Sequence, residues 1–179
     1  MDRLQTQYNK EFAPKLIKEF GYKNVMQAPK ITKIVINVGV GKLSKDSKFT
    51  DMVVKELAQI TGQAPVKTIA RKSIAGFKVR EGQVVGVVVT LRGKRMYAFL
   101  DKLINVALPR VKDFRGVSST GFDGRGNFHI GLKEHVVFPE ITNEALEHTF
   151  GLEISLVSNA GKDEPARKLL ELMHFPFRT

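Results

Sequence analysis

The stretch VVGVVVTLR, residues 84–92, alternates with period two. Val85, Val87, Val89 and Leu91 fall on one side of an extended chain. Gly86, Val88, Thr90 and Arg92 fall on the other. This predicts a strand with one apolar, packed face and one face ending in hydroxyl and guanidinium groups.

Working outward, PVKTI (65–69) reads as a short strand, and the basic loop ARKSIAGFKVREG (70–82) joins it to the first. Earlier, KITKIVINV (30–38) also alternates, with Ile34, Ile36 and Val38 one way and Lys33, Val35 and Asn37 the other. Residues 3–20 read as a helix from the four-residue spacing of Leu4, Tyr8, Phe12, Leu16 and Phe20; Pro14 kinks it or marks a late start. Phe49, Met52, Val53, Leu57 and Ile60 form a second helical stripe, capped by Asp46 or Ser47 and closed by Gly62. A third helix, 94–107, ends at Pro109. After it come an irregular connection (PRVKDFRGVSSTGF), a tight DGRGN turn, the strands NFHIGLK and GLEISLVS, and a last helix, DEPARKLLELMH, capped by Asp163. The order α-β-α-β-β-α-β-β-α predicts an α+β fold: a mostly antiparallel sheet with helices packed on one face and the other face open. No linker or repeat divides the chain, so residues 1–179 are expected to form a single domain.

Its 179 residues are 42% apolar, enough for a sizeable core. The net charge of +11 favours a polyanionic partner, nucleic acid first and an acidic membrane surface second. That charge is uneven. Residues 64–100 carry eight Lys and Arg against Glu81 alone, whereas residues 101–179 carry ten bases and eleven acids. A basic RNA-binding half, about 1–100, is therefore expected beside a near-neutral half, about 101–179. The absence of cysteine excludes disulfides and Cys-based zinc sites and suits a reducing compartment. MDRLQTQYNKEF shows no secretory pattern, and the longest uncharged apolar stretch, GQVVGVVVTL, is ten residues, half of a membrane span. A soluble protein with no membrane partner is expected.

Enzymatic readings find little support. NVGVGKLS (37–44) has Ile36 and Leu43 where a phosphate-cradling loop needs Gly and Ser/Thr, and Ser44 where a dinucleotide fingerprint needs Gly. A tight turn, or glycine backbones that let RNA approach closely, explains it better. His129, His135, His148 and His174 lack metal-ligand spacing, and no nucleophile accompanies Glu134 and Glu140 near His135. The outward groups Lys33, Asn37, Thr90 and Arg92 suit RNA: amide and hydroxyl for 2′-hydroxyls and base edges, cations for phosphates. An ordinary polar sheet face would look the same; the charge asymmetry favours RNA. The candidate classes are a scaffold RNA-binding protein, a free-standing RNA-binding regulator and, last, an RNA-modifying enzyme.

The blocks PKITKIVINVGVG, TGQAPVKTIARKSIAGFKVREG, VTLRGKRMYAFLDKLINVALPRVKDFRG, FDGRGNFHIGLKEHVVFPEI and FPFR resemble the bacterial large-subunit ribosomal proteins that bind 5S rRNA, the fifth in the large-subunit series. The resemblance covers nearly the whole chain. It implies a non-enzymatic, cytoplasmic, ribosome-bound constituent of the large subunit, without metal or cofactor and monomeric within the ribosome. Such proteins have an α+β fold and anchor 5S rRNA in the central protuberance, beside large-subunit rRNA. With the outward face, the resemblance assigns Lys33, Asn37, Gln63, Lys67, Thr68, Thr90 and Arg92 to 5S rRNA. It assigns Arg71, Lys72, Ser73, Gly76, Phe77, Lys78 and Arg80 to the elbow of P-site tRNA, with Phe77 stacking on a base or pinning the loop to the body. It implies a bridge to a basic protein of the small-subunit head. The expected contacts are Arg110, Lys112, Phe114 and Arg115 in one segment, and Glu140, Glu144 and Glu147 in an acidic stretch that could equally be a solvated face. His135, where Gln is expected, and LVSNA, where a Thr-rich strand end is expected, depart from the pattern.

Overall fold

The computed structural model describes residues 3–41, 47–141 and 149–178. Strands β1 (Ile31–Gly39), β2 (Val66–Ile69), β3 (Val84–Leu91), β4 (Phe128–Leu132) and β5 (Leu152–Ser158) form one antiparallel sheet in the order β2-β3-β1-β5-β4. The helices are α1 (Arg3–Gln7), α2 (Ala13–Phe20), α3 (Ser47–Thr61), α4 (Gly93–Lys102) and α5 (Asp163–Leu172). The α+β class is as expected. Internal contacts gather the chain into two compact units that interleave in sequence: Met1–Ile34, Leu91–Ile130 and Ser155–Thr179 in one, Val35–Thr90 and Gly131–Ile154 in the other.

In the second unit, the alternation read from the sequence is the alternation of burial. Ile36, Val38, Val87 and Val89 are buried, Asn37 is exposed, and Val88 and Thr90 are half-buried. α3 supplies the cover for the apolar side, burying Phe49, Val53, Leu57 and Ile60. Each such side chain contributes roughly 1.5–3 kcal/mol by leaving water. Gly62, at φ +65°, stops α3 in the left-handed conformation that an L side chain resists. Of its two candidate caps, Asp46 lies outside the described residues and Ser47 is the first helical residue.

The first unit solves a proline problem twice by the same means. Between α1 and α2 lies a π turn, Tyr8–Phe12, in which the Ala13 N–H reaches back to the Tyr8 carbonyl. After α4 lies another, Leu103–Ala107, with the Leu108 N–H donating to Leu103. Each ends two residues before a proline, Pro14 or Pro109. A proline has no N–H and its ring crowds the carbonyl four residues back, and the wider π turn makes room for it. So Pro14 neither delays the helix nor starts it. The turn also explains the strict spacing of Leu4, Tyr8, Phe12 and Leu16. In a pure α-helix a four-residue step drifts by about 40° each time; an inserted residue winds the stripe back, and all four are buried.

One expectation for this unit changes. Asp163 does not cap its own helix; α5 has no side-chain cap. Its carboxylate instead accepts the Gly124 and Gly126 N–H groups at 3.1 and 2.8 Å. Asp123 closes the same turn by accepting from the Arg125 and Asn127 N–H groups and the Asn127 side chain, which together hold it down to about pKa 2. The irregular connection after α4 is held by backbone bonds. The Val117 N–H donates to Pro176 and the Arg178 N–H to Val117, both at 2.8 Å. Gly116, at φ +92°, lies so near that a Cβ would sit 2.8 Å from the Arg178 backbone.

Candidate nucleic-acid interface

On the open face of the second unit, three adjacent strands bring polar groups together. β2 and β3 pair antiparallel with Thr68 opposite Gly86 and Lys67 opposite Val87. Residues opposite one another share a face. Thr68 therefore stands with Gly86, Val88 and Thr90 on the open side, and the Asn37 side chain reaches the same spot from β1. Gln63, half-buried, spans to this strand by donating from Nε2 to the Thr90 carbonyl at 3.0 Å. Lys67 is different. Opposite buried Val87, it turns to the helix-covered side, where its Nζ meets Asp51 of α3 at 2.6 Å. Lys33 (half-buried) and Arg92 (exposed) belong to the first unit.

The Gly86 position is a feature that residue-by-residue reading for chemistry passes over, because glycine carries none. The only signal was its place on the outward side of a β-branched strand. The glycines of GVGK are not a tight-turn requirement: neither Gly39 nor Gly41 has a positive φ. A Cβ at Gly39 would meet nothing within 4 Å, so this backbone is open to close approach.

The basic loop is built rather than slack. The Ala70 N–H donates to Gln83 and the Gly82 N–H to Ala70, extending the β2–β3 pairing. Ile74 and Val79 exchange two further backbone bonds around a 3₁₀ turn, Ala75–Phe77, closed by Lys78 at φ +53°. Ser73 Oγ accepts the Glu81 N–H and Gln83 Oε1 the Arg80 N–H. Arg71, Lys72, Lys78 and Arg80 are all exposed, and none of their side chains has a hydrogen-bond or ion-pair partner among the described residues. Gly76 is exposed and Phe77 is 77% exposed. The loop thus presents four free cations and an aromatic ring on a stiff frame.

The third set is divided. Arg110, Lys112 and Arg115 are exposed and Phe114 half-buried in the first unit; Glu140 is exposed in the second. Glu144 and Glu147 lie outside the described residues. His135, expected near surface carboxylates, is fully buried. Its Nε2 lies 3.1 Å from Glu56 Oε2, its Nδ1 accepts the Phe150 N–H at 3.3 Å, and its ring stacks on Phe150 at 3.9 Å. Burial pushes the imidazole below, and the Glu56 carboxyl above, their ordinary ranges. Both groups are enclosed by packing. Among the described residues no group of His, Asp and Glu could hold a metal ion, and no helix is long and apolar enough to cross a membrane.

Comparison with known proteins agrees in every part of the chain. Residues 24–80 match the family described as "Ribosomal protein L5", and residues 84–177 match the model that describes the C-terminus of the same ribosomal family. The chain is 54% identical over 177 residues to the "Large ribosomal subunit protein uL5" of Halothermothrix orenii, covering 99% of each. It is 52% identical to the protein of that name from Synechocystis sp., covering 99% of this chain and 98% of that one. With that of Mesoplasma florum it shares 55% over 175 residues, covering 98% and 97%. The chain belongs to the ribosomal L5 family.

Proposed function

We propose that this member of the ribosomal L5 family, a non-enzymatic structural constituent of the large ribosomal subunit in the cytoplasm, anchors 5S rRNA through the open face of its sheet. The carrying observation is that the Asn37 and Thr68 side chains converge on that face, neither with a hydrogen-bond partner among the described residues. Unpaired amide and hydroxyl groups on a firm strand surface suit RNA sugar and base edges. Gln63 and Thr90 extend the set, and Lys33 and Arg92 supply charge. Lys67, engaged by Asp51, adds to the field more than to the contact.

The free cations Arg71, Lys72, Lys78 and Arg80, with Ser73, Gly76 and Phe77, meet the elbow of P-site tRNA. Phosphate contacts attract without reading sequence, as a site for every tRNA requires. Large-subunit rRNA is a further contact. Arg110, Lys112, Phe114, Arg115 and Glu140, with Glu144 and Glu147, form the bridge to a basic protein of the small-subunit head, and the chain acts as a monomer within the ribosome.

Filter binding of 5S rRNA tests the anchor. Loss of a hydrogen bond to a charged group removes about 1.5–3 kcal/mol, so Arg92→Ala is expected to weaken binding tenfold or more, with smaller losses for Asn37→Ala and Thr90→Ala. Unchanged affinity in all three rules this face out.

A further inference from the structure

Gly86 has a strand backbone that any residue could adopt; its φ is not positive. Glycine nonetheless weakens the interior of a strand, and here often marks close approach of other groups. A Cβ at this position would sit 2.8 Å from Thr68 Oγ1, 3.3 Å from the Val38 carbonyl oxygen and 3.6 Å from Asn37 Oδ1. The missing side chain lets a hydroxyl from β2 and an amide from β1 close in over β3. Gly86 is buried beneath them, while Asn37 is exposed and Thr68 half-buried.

The geometry points to a ribose 2′-hydroxyl as the group that this pair receives, with Gly86 as the positioning residue that brings Thr68 and Asn37 together. The chemistry narrows the choice. A hydroxyl and a carboxamide each both donate and accept. A 2′-hydroxyl is also both donor and acceptor, so it satisfies the two together. A phosphate only accepts, so it would leave the accepting atoms of both groups unused, and the cation beside Thr68, Lys67, is held on the other side by Asp51. Stacking of a base needs an aromatic or guanidinium platform, and the neighbouring outward residues of these strands are the aliphatic Val35, Val66 and Val88. The sheet would then tell RNA from DNA at this point by its sugar. The inference rests on the 5S rRNA reading and specifies which group of that RNA is recognised.

The test compares 5S rRNA with versions carrying short blocks of 2′-deoxynucleotides, one block at a time, against the wild-type chain and the variants Gly86→Ala, Thr68→Val and Thr68→Ser. For the wild type, one block should lower affinity by roughly twofold to tenfold, the range for one neutral hydrogen bond. Thr68→Val keeps the shape and loses the hydroxyl, and Gly86→Ala pushes that hydroxyl away. Both should lose a similar factor on unmodified RNA and become indifferent to that block, while Thr68→Ser behaves as the wild type. Thr68→Val introduces no clash, so it decides the matter even where Gly86→Ala folds poorly. Three results overturn the inference and leave the 5S reading standing: variants that bind as the wild type does, variants that weaken but keep the deoxy sensitivity, or a wild type indifferent to every block. A wild-type chain that prefers an unrelated structured RNA to 5S rRNA overturns the 5S reading itself.

Discussion

The loop at 70–83 and the turn at 123–127 are both glycine-containing and charged, yet they use charge in opposite ways. In the turn, Asp123 and Asp163 give their carboxylate oxygens to backbone N–H groups and to Asn127, so the acids close the structure. In the loop, neutral Ser73 and Gln83 do that work for the backbone, and Arg71, Lys72, Lys78 and Arg80 take no part in it. The contrast separates charge that builds a fold from charge that the fold leaves free. Polar residues near glycine do not announce which they are; the hydrogen-bond partners do.

The largest expected effect would break the comparison on the structural side. Asp163→Ala strips acceptors from two N–H groups of the turn and should destabilise the fold by about 2–3 kcal/mol. Urea unfolding should show this with 5S rRNA affinity unchanged in the folded protein. A stability change near zero would mean that the turn holds itself without the acid.

Next comes the buried pair, where charge is neither used by backbone nor offered outward. Burial holds the His135 imidazole down, so the unfolded chain takes up the proton first. Its contribution is fully present above about pH 6.5 and is lost as pH falls below that. Glu56, pushed up by burial, works in the opposite sense: the folded chain protonates first, so stability rises as pH falls toward the ordinary carboxylate range. The urea midpoint of the wild type should therefore drop on acidification below about pH 6.5. His135→Gln should remove that drop and leave the rising Glu56 limb. Parallel profiles for the two proteins would show that His135 is not the titrating group.

The smallest expected effect on stability belongs to the loop. Replacing Arg71, Lys72, Lys78 and Arg80 together by Ala should change unfolding free energy by only about 0.5 kcal/mol. P-site tRNA should nevertheless dissociate faster from ribosomes carrying the variant, with a flatter salt dependence, by about one slope unit for each phosphate left without its cation. Phe77→Ala sharpens this further. A ring so exposed should leave the unfolding midpoint where it is and speed tRNA release by removing a stack; a lowered midpoint would mean that Phe77 pins the loop instead.

Much of this could be read from residue order, for a physical reason in each case. The strand at 84–91 was legible because a packed face and an open face impose a period of two on burial, and the sheet class followed from it. The stripe on α3 was legible on the same ground with a helical period. Lys67 was not, since a four-residue strand carries too little pattern to set its phase; the pairing of Thr68 with Gly86 sets it, and that is a tertiary fact. The meeting of His135 with Glu56 joins residues far apart in sequence, which no local pattern encodes. Asp163 was recognised as a polar residue at a helix start, but which N–H groups it serves depends on a turn some forty residues earlier. The cations of the loop were visible at once, because a run of four bases against Glu81 alone finds few partners nearby.

The position of β2 has a consequence for the chain before assembly. This strand is the outer edge of the sheet, and on it Val66 and Ile69 are exposed by 67% and 60%. An unpaired edge with apolar side chains is a template on which a second copy can add its own strand. What keeps copies apart is mutual repulsion: a net charge of +11, with Arg71 and Lys72 directly after the strand. Salt weakens that repulsion, shortening its reach from about 30 Å at 0.01 M to about 8 Å at 0.15 M. The free protein is therefore expected to lose colloidal stability as its charge is screened, unless RNA covers it. Light scattering should show the free chain clouding as salt is raised, and 5S rRNA added beforehand should keep the solution clear.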